Sequence, residues 1–127
     1  METRAGLALK PGGGEFRLVI DFREVNSCSE PTGWSMPQLD AIVIRMKNSK
    51  YFIKLDLFKG FWLLPLAEEC REQFSFMTPD GVFTPVRLPQ GACNSASQFQ
   101  ARMAEIFPDL INSTLEVWID DIFGHCD

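Results

Sequence analysis

Close to its end the chain runs Leu115 to Ile119, then Asp120-Asp121, then Ile122-Phe123: two largely apolar arms around a two-residue acidic tip. Adjacent carboxylates resist burial, whereas β-branched and aromatic arms favour strands. The chain is therefore expected to fold back here as an antiparallel hairpin. Asp is among the few non-glycine residues that tolerate a positive φ, which places the expected turn on Asp120 and Asp121 themselves. Taken alone, such a doublet reads equally well as plain turn chemistry on a surface hairpin.

A second segment bears on the same point. Tyr51 to Leu57 (YFIKLDL) alternates as a strand, with Tyr51, Ile53, Leu55 and Leu57 on one face and Phe52, Lys54 and Asp56 on the other. If this strand neighbours the acidic hairpin in one antiparallel sheet, three carboxylates converge on one edge. Such a cluster repels itself unless cations intervene, and hard oxygen ligands select Mg²⁺ or Mn²⁺. Two such ions, about 3.5–4 Å apart, stabilise the attacking and leaving oxygens of phosphoryl or nucleotidyl transfer.

The remaining pattern fits an α+β architecture, and one domain is the economical expectation for 127 residues. Phe16 to Asp21 reads as a strand after a Gly-rich loop at Lys10 to Gly14. A helix is expected from about Pro37 to Lys47, with Leu39, Ile42, Val43 and Met46 on one face and Ser35 with Gln38 as a capping box. Phe61 to Leu66 is apolar throughout and reads as a further strand. Asp80-Gly81 between two aromatic runs signals a hairpin. A second helix is expected from about Ser95 to Phe107, with Ala96, Phe99, Met103 and Ile106 inward, Ser95 with Gln98 as its capping box and Pro108 ending it.

Composition narrows the function classes. Apolar residues are 46% of the chain, enough to build a core, and no run approaches the roughly 20 apolar residues of a membrane span. Met1 to Lys10 lacks the apolar run of a signal peptide. Cys28, Cys70, Cys93 and Cys126 are irregularly spaced, which points to neither a zinc site nor a disulfide framework. A reducing, intracellular setting follows, with cytoplasm and nucleus not distinguished. The net charge of −5 is unevenly spread, with nine basic side chains in residues 1–60 and only three beyond. A phosphate-tracking surface therefore belongs to the first half, and the acidic second half suits metal binding better.

Four segments in order carry a more specific signal. Arg17 to Asn26 (RLVIDFREVN), Tyr51 to Phe61 (YFIKLDLFKGF), Leu88 to Gly91 with Ser95 to Gln100 (LPQG and SASQFQ), and Val117 to Asp121 (VWIDD) span nearly residues 16–123. Together they resemble the reverse transcriptase domain of retroviruses and of gypsy-type LTR retrotransposons. The resemblance implies an incomplete fingers and palm: an antiparallel palm sheet with two packed helices, fingers over about residues 1–50 and palm over about 51–127. The thumb, connection and RNase H of the family are not expected in this length.

The resemblance also implies roles. Asp56 and Asp120 would bind two metal ions, Mg²⁺ or Mn²⁺, with Asp121 as the supporting carboxylate. Arg17 would grip the triphosphate of a dNTP, or else be an exposed strand Arg. Phe61 would exclude a ribose 2′-OH, or else be core. Gln90 and Gly91 would lie beside the nucleotide. Asp21, Arg23 and Asn26 would hold fingers structure or template, and Phe99 reads as core. The implied partners are an RNA or DNA template with primer, a dNTP and the remainder of a polyprotein, with no membrane.

Departures from the family pattern are Trp118 for the usual Tyr, Ala96-Ser97 where a Pro is typical, Gly124 in the strand leaving the acidic tip, and a Gly-rich gap beside Lys10. Two other readings stay open. One is a non-catalytic remnant or interaction module derived from such an element. The other is a different metal-dependent transferase built on the same acidic cluster, which would not need the Arg17 and Leu88 segments.

Overall fold

The computed structural model describes residues 3–127, so Met1 and Glu2 of the amino-terminal reading lie outside it. In chain order the elements are strands β1 (Ala5–Leu9) and β2 (Phe16–Ile20), helices α1 (Arg23–Ser27) and α2 (Leu39–Met46), and strand β3 (Tyr51–Asp56). A 3-10 turn at Gly60–Leu63, helix α3 (Glu68–Arg71) and a 3-10 turn at Glu72–Phe74 follow. The chain continues through β4 (Phe76–Thr78), β5 (Gly81–Phe83), α4 (Ser95–Ile106), β6 (Leu115–Trp118) and β7 (Asp121–Cys126). The α+β class expected from the sequence is the one observed. Contacts group the residues into two compact units, one of 1–31 with 62–95 and the other of 32–61 with 96–127.

In the first unit β1 and β2 pair antiparallel, with Ala8 opposite Arg17, and Lys10 closes the Gly-rich loop by an ion pair to Glu15. Strand β1 was not legible in the weak AGLAL pattern; its partner β2 supplies the hydrogen bonds. Phe22, Val25, Leu66 and Leu88 are buried, and the Phe22 ring meets Phe74 edge-on at 5.5 Å. The β4–β5 hairpin forms at the expected place, with Pro79-Asp80 as the turn and Gly81 already paired with Thr78. The apolar segment after Phe61 is not a strand. Gly60–Leu63 winds as a 3-10 turn, and only Pro65 makes an isolated bridge, to Arg87.

The second unit holds a three-stranded antiparallel sheet in the order β3-β7-β6. Its apolar interior is Ile42 of α2, Phe99 and Met103 of α4, Val117 of β6 and Ile122 of β7. Ile106, expected inward, is the last residue of α4 and is 59% exposed. Helix α2 starts two residues later than expected, with Gln38 at its N-cap and no side-chain cap hydrogen bond. The Ser35–Gln38 capping box is therefore not formed. At the other helix, the buried Ser95 hydroxyl donates to the Pro89 carbonyl instead of serving as the expected box.

Helix α2 is tied to the sheet by a bidentate pair. Arg45 Nε and Nη2 each donate at 2.6 Å to Glu116, whose side chain is 1% exposed. A carboxylate this deep is tolerable only with such a partner, since an unpaired buried charge is strongly destabilising. His125 of β7 stands beside this pair, its Nε2 3.8 Å from Glu116 Oε1, while its Nδ1 shares a hydrogen bond with the Ser49 hydroxyl at 2.9 Å.

Candidate active site

The sheet register brings Asp56 and Asp121 together. β3 and β7 pair antiparallel from Tyr51 opposite Cys126 to Asp56 opposite Asp121, so these two aspartates are direct cross-strand partners. Directly opposite residues project from the same face of a sheet, with Cβ atoms about 4.5–5.5 Å apart. Asp120 lies next to them at the β6–β7 turn, where its carbonyl accepts the Leu57 N–H at 2.9 Å. That bond fixes the chain leaving β3 against the turn. Asp56 is exposed, whereas Asp120 and Asp121 are half-buried.

The turn itself differs from the expectation. Trp118 pairs with Asp121, leaving Ile119 and Asp120 as the two turn residues, and the positive φ of 56° falls on Ile119 rather than on an aspartate. A β-branched residue there is strained. Gln100 offsets this from α4: its amide donates to the Val117 carbonyl at 3.0 Å and its side-chain oxygen accepts the Ile119 N–H at 2.8 Å. Sequence reading named Gln100 only as part of a motif; its grip on the turn is a long-range contact with no local signal.

Gly60 is the other piece of this frame. A Cβ built there would stand 3.1 Å from the Phe99 ring and 3.2 Å from the Asp120 Cβ, so a side chain at this position would crowd both. The next residue, Phe61, is half-buried and packs on Phe99 with ring centroids 5.4 Å apart. This packing is compatible with both readings of Phe61.

Lys54 enters the cluster unannounced. Its ammonium lies 2.9 Å from Asp121 Oδ1 and 5.6 Å over the Phe123 ring. The hydrogen bond to Asp121 raises its pKa first, opposed by partial desolvation and reinforced by the charges of Asp121, Asp56 and Asp120. The signal was present in the alternation, which put Lys54 and Asp56 on one face. Among the described residues no three His, Cys, Asp or Glu side chains stand close enough together to hold a metal ion. The donors nevertheless suit a hard cation: Asp56 and Asp121 meet by register, Asp120 adjoins them, and all offer carboxylate oxygens.

The other expected residues lie in the first unit. Arg17 is exposed on β2, and Gln90 is exposed in the loop before α4. Gly91 follows with φ +100°, a conformation that favours glycine, and a Cβ there would come within 3.7 Å of Phe22. Asn26 holds this loop, donating to the Gly91 carbonyl at 3.0 Å and accepting the Cys93 N–H at 2.8 Å. Asp21 and Arg23 instead pair with each other, through Arg23 Nε and Nη2 at 2.8 and 2.6 Å. Arg23 holds the Asp21 carboxyl down at about 2.

Comparison with known proteins agrees with these motifs. The family model described as reverse transcriptase (RNA-dependent DNA polymerase) matches residues 8–127. Two curated Drosophila melanogaster relatives are similar over 111 residues, or 87% of the chain. They are the retrovirus-related Pol polyproteins from transposon 297, at 33% identity, and from transposon gypsy, at 35%. The chain spans only 10% and 11% of their lengths. Among solved structures, the native protease-reverse transcriptase of prototype foamy virus matches all of the chain with a TM-score of 0.81 at 32% identity, over 17% of its own length. A foamy viral protease-reverse transcriptase in complex with RNA/DNA hybrid matches 98% of the chain with a TM-score of 0.85 at 27% identity, over 16% of its own length. With the family model covering all but the first seven residues, this chain belongs to the reverse transcriptase family.

Proposed function

We propose that the chain is the nucleotidyl-transfer core of an RNA-directed DNA polymerase, extending a primer 3′-OH with a dNTP on an RNA or DNA template, within a retrotransposon polyprotein. The observation that carries this reading is the pairing of Asp56 with Asp121 beside Asp120 at one edge of the β3-β7-β6 sheet. Asp56 and Asp120 are the proposed ligands of Mg²⁺ or Mn²⁺, with Asp121 as the supporting carboxylate. Bound there, the ions would supply Lewis-acid stabilisation of the attacking and leaving oxygens.

The chain's own groups do the rest. Arg17 is proposed to bind the triphosphate through its planar guanidinium. Gln90 and Gly91 are proposed to lie along the nucleotide, in a loop whose shape Asn26 fixes. Phe61, backed by Phe99, is proposed to reject a 2′-OH by bulk. A nucleic-acid partner is supported by foamy viral relatives seen with RNA/DNA hybrid and with double-stranded DNA. The fingers and palm division near residue 50 belongs to the same proposal, as does an intracellular setting. No helix among the described residues is long and apolar enough to cross a membrane.

A second reading, a non-catalytic remnant or interaction module, is favoured by one observation: Lys54 already occupies Asp121. Primer extension on an RNA template with Mg²⁺ or Mn²⁺, beside Asp120→Asn, separates the two. Since the chain covers about a tenth of the polyproteins it resembles, slight extension is expected from these 127 residues, and none from the variant. Synthesis that survives Asp120→Asn refutes the assigned chemistry.

A further inference from the structure

The cross-strand register puts four side chains on one face of β3 and β7: Asp56 opposite Asp121, and Lys54 opposite Phe123. Lys54 reaches diagonally from its own partner to Asp121 Oδ1 at 2.9 Å, while its ammonium stays 5.6 Å above the Phe123 ring. One cation is thereby held by a carboxylate and an aromatic face, in the field of two further carboxylates. Three acidic groups at one sheet edge would otherwise repel each other without compensation.

We propose that Lys54 is the resident counter-ion of the carboxylate cluster, which a divalent cation must displace from Asp121 in order to bind. This rests on the reading given above, in which Asp56 and Asp120 hold the ion and Asp121 is the supporting carboxylate beside them. Lys54 then sets the metal affinity: it preserves the cluster when no ion is present and competes with the ion when one arrives. The ammonium is disfavoured in place once an ion arrives, because its charge, held on Asp121 beside the ligands, opposes the ion's own.

The test is Mn²⁺ binding to the 127-residue chain, read from the free-ion electron paramagnetic resonance signal, for wild type, Lys54→Gln, Lys54→Met and Lys54→Arg. The Lys54 side chain is 56% exposed, so circular dichroism should show all three variants folded. Removing the charge should tighten the Mn²⁺ Kd about threefold to tenfold, the scale of an exposed ion pair plus a neighbouring like charge. Lys54→Met, which keeps the stem over Phe123, should behave as Lys54→Gln does, and Lys54→Arg as wild type. At low salt without metal, Lys54→Gln should melt below wild type, and Mn²⁺ should raise its Tm more.

An unchanged or weaker Kd in both neutral variants, or no detectable Mn²⁺ binding by either, overturns the proposal. Asp56→Asn and Asp120→Asn keep that failure separate from failure of the underlying reading. If both lose Mn²⁺ while Lys54→Gln gains nothing, only the role of Lys54 is wrong. If both bind Mn²⁺ as wild type does, the ion sits elsewhere and the assignment of the carboxylates is wrong as well.

Discussion

Gln100 holds Ile119 by its backbone: the side-chain oxygen on α4 accepts the Ile119 N–H at 2.8 Å, at the residue whose φ of 56° forms the turn before Asp120 and Asp121. With its amide on the Val117 carbonyl, the same side chain spans the end of β6 and the start of the turn. Gln100 is 5% exposed, so water cannot replace it easily. Gln100→Leu should cost about 1–3 kcal/mol, the range for leaving buried polar partners unsatisfied. Urea unfolding measures this. The same variant should weaken Mn²⁺ binding although Gln100 is not a proposed ligand; full stability would show that the turn holds its shape unaided.

Gly60 tests how closely the turn is packed. Its missing side chain leaves room for Phe99 and for Asp120, each within about 3 Å of where a Cβ would stand. Gly60→Ala should destabilise by about 1–3 kcal/mol through overpacking. Phe99→Leu in the Gly60→Ala background should recover part of that loss, since the ring supplies the nearer contact. Equal costs in both backgrounds would place the strain elsewhere.

Gly124 departs from the family pattern, and the structure gives a reason local to this chain. It stands opposite Ile53, whose Cγ2 would lie 2.6 Å from a Cβ at position 124. Gly124→Ala should therefore cost about 1 kcal/mol, modest because Ile53 is 57% exposed and can swing outward. Combined with Ile53→Ala, the same change should become neutral or slightly stabilising, as alanine in a strand otherwise is relative to glycine. A double-mutant cycle by thermal unfolding reads the coupling. Zero coupling would mean that the two residues do not compete for space.

The Asp21–Arg23 pair predicts a pH dependence. Hydrogen bonding from Arg23 lowers the Asp21 pKa from 3.8 to about 2. A depressed carboxyl contributes stability that is complete above its unfolded pKa and is lost as pH falls through the folded one, so the effect belongs between about pH 4 and pH 2. Both groups are exposed, which makes it small and sensitive to salt. Carboxyl ¹³C shifts should put the Asp21 midpoint near 2 and, in Arg23→Gln, back towards 3.8. An unmoved midpoint would contradict the pairing.

Sequence pattern revealed the frame better than its fittings. The alternation of YFIKLD and the apolar arms around Asp120-Asp121 put β3, β6 and β7 close to where they lie, because period-2 patterning is a local property. β1 was invisible because strand pairing, not composition, forms it. The 3-10 turn at Gly60–Leu63 looked like a strand because its apolar residues carry no period of their own. The positive φ settled on Ile119 because Trp118 pairs with Asp121, a register that turn propensity alone cannot supply. Lys54, Gln100 and Asn26 act through partners on other elements, and two of those links join residues 19 and 67 positions apart. No local window holds that information.

The claim that Asp56, Asp120 and Asp121 form one divalent-cation site is tested most directly by paramagnetic broadening. A ¹⁵N-labelled chain titrated with substoichiometric Mn²⁺ should lose the amide signals of Asp56, Leu57, Asp120 and Asp121 first, with those at the other end of the same strand pair, Tyr51 and Cys126, lost later. In Asp120→Asn that selective loss should disappear. Broadening that begins elsewhere, or that persists unchanged in the variant, would contradict the account.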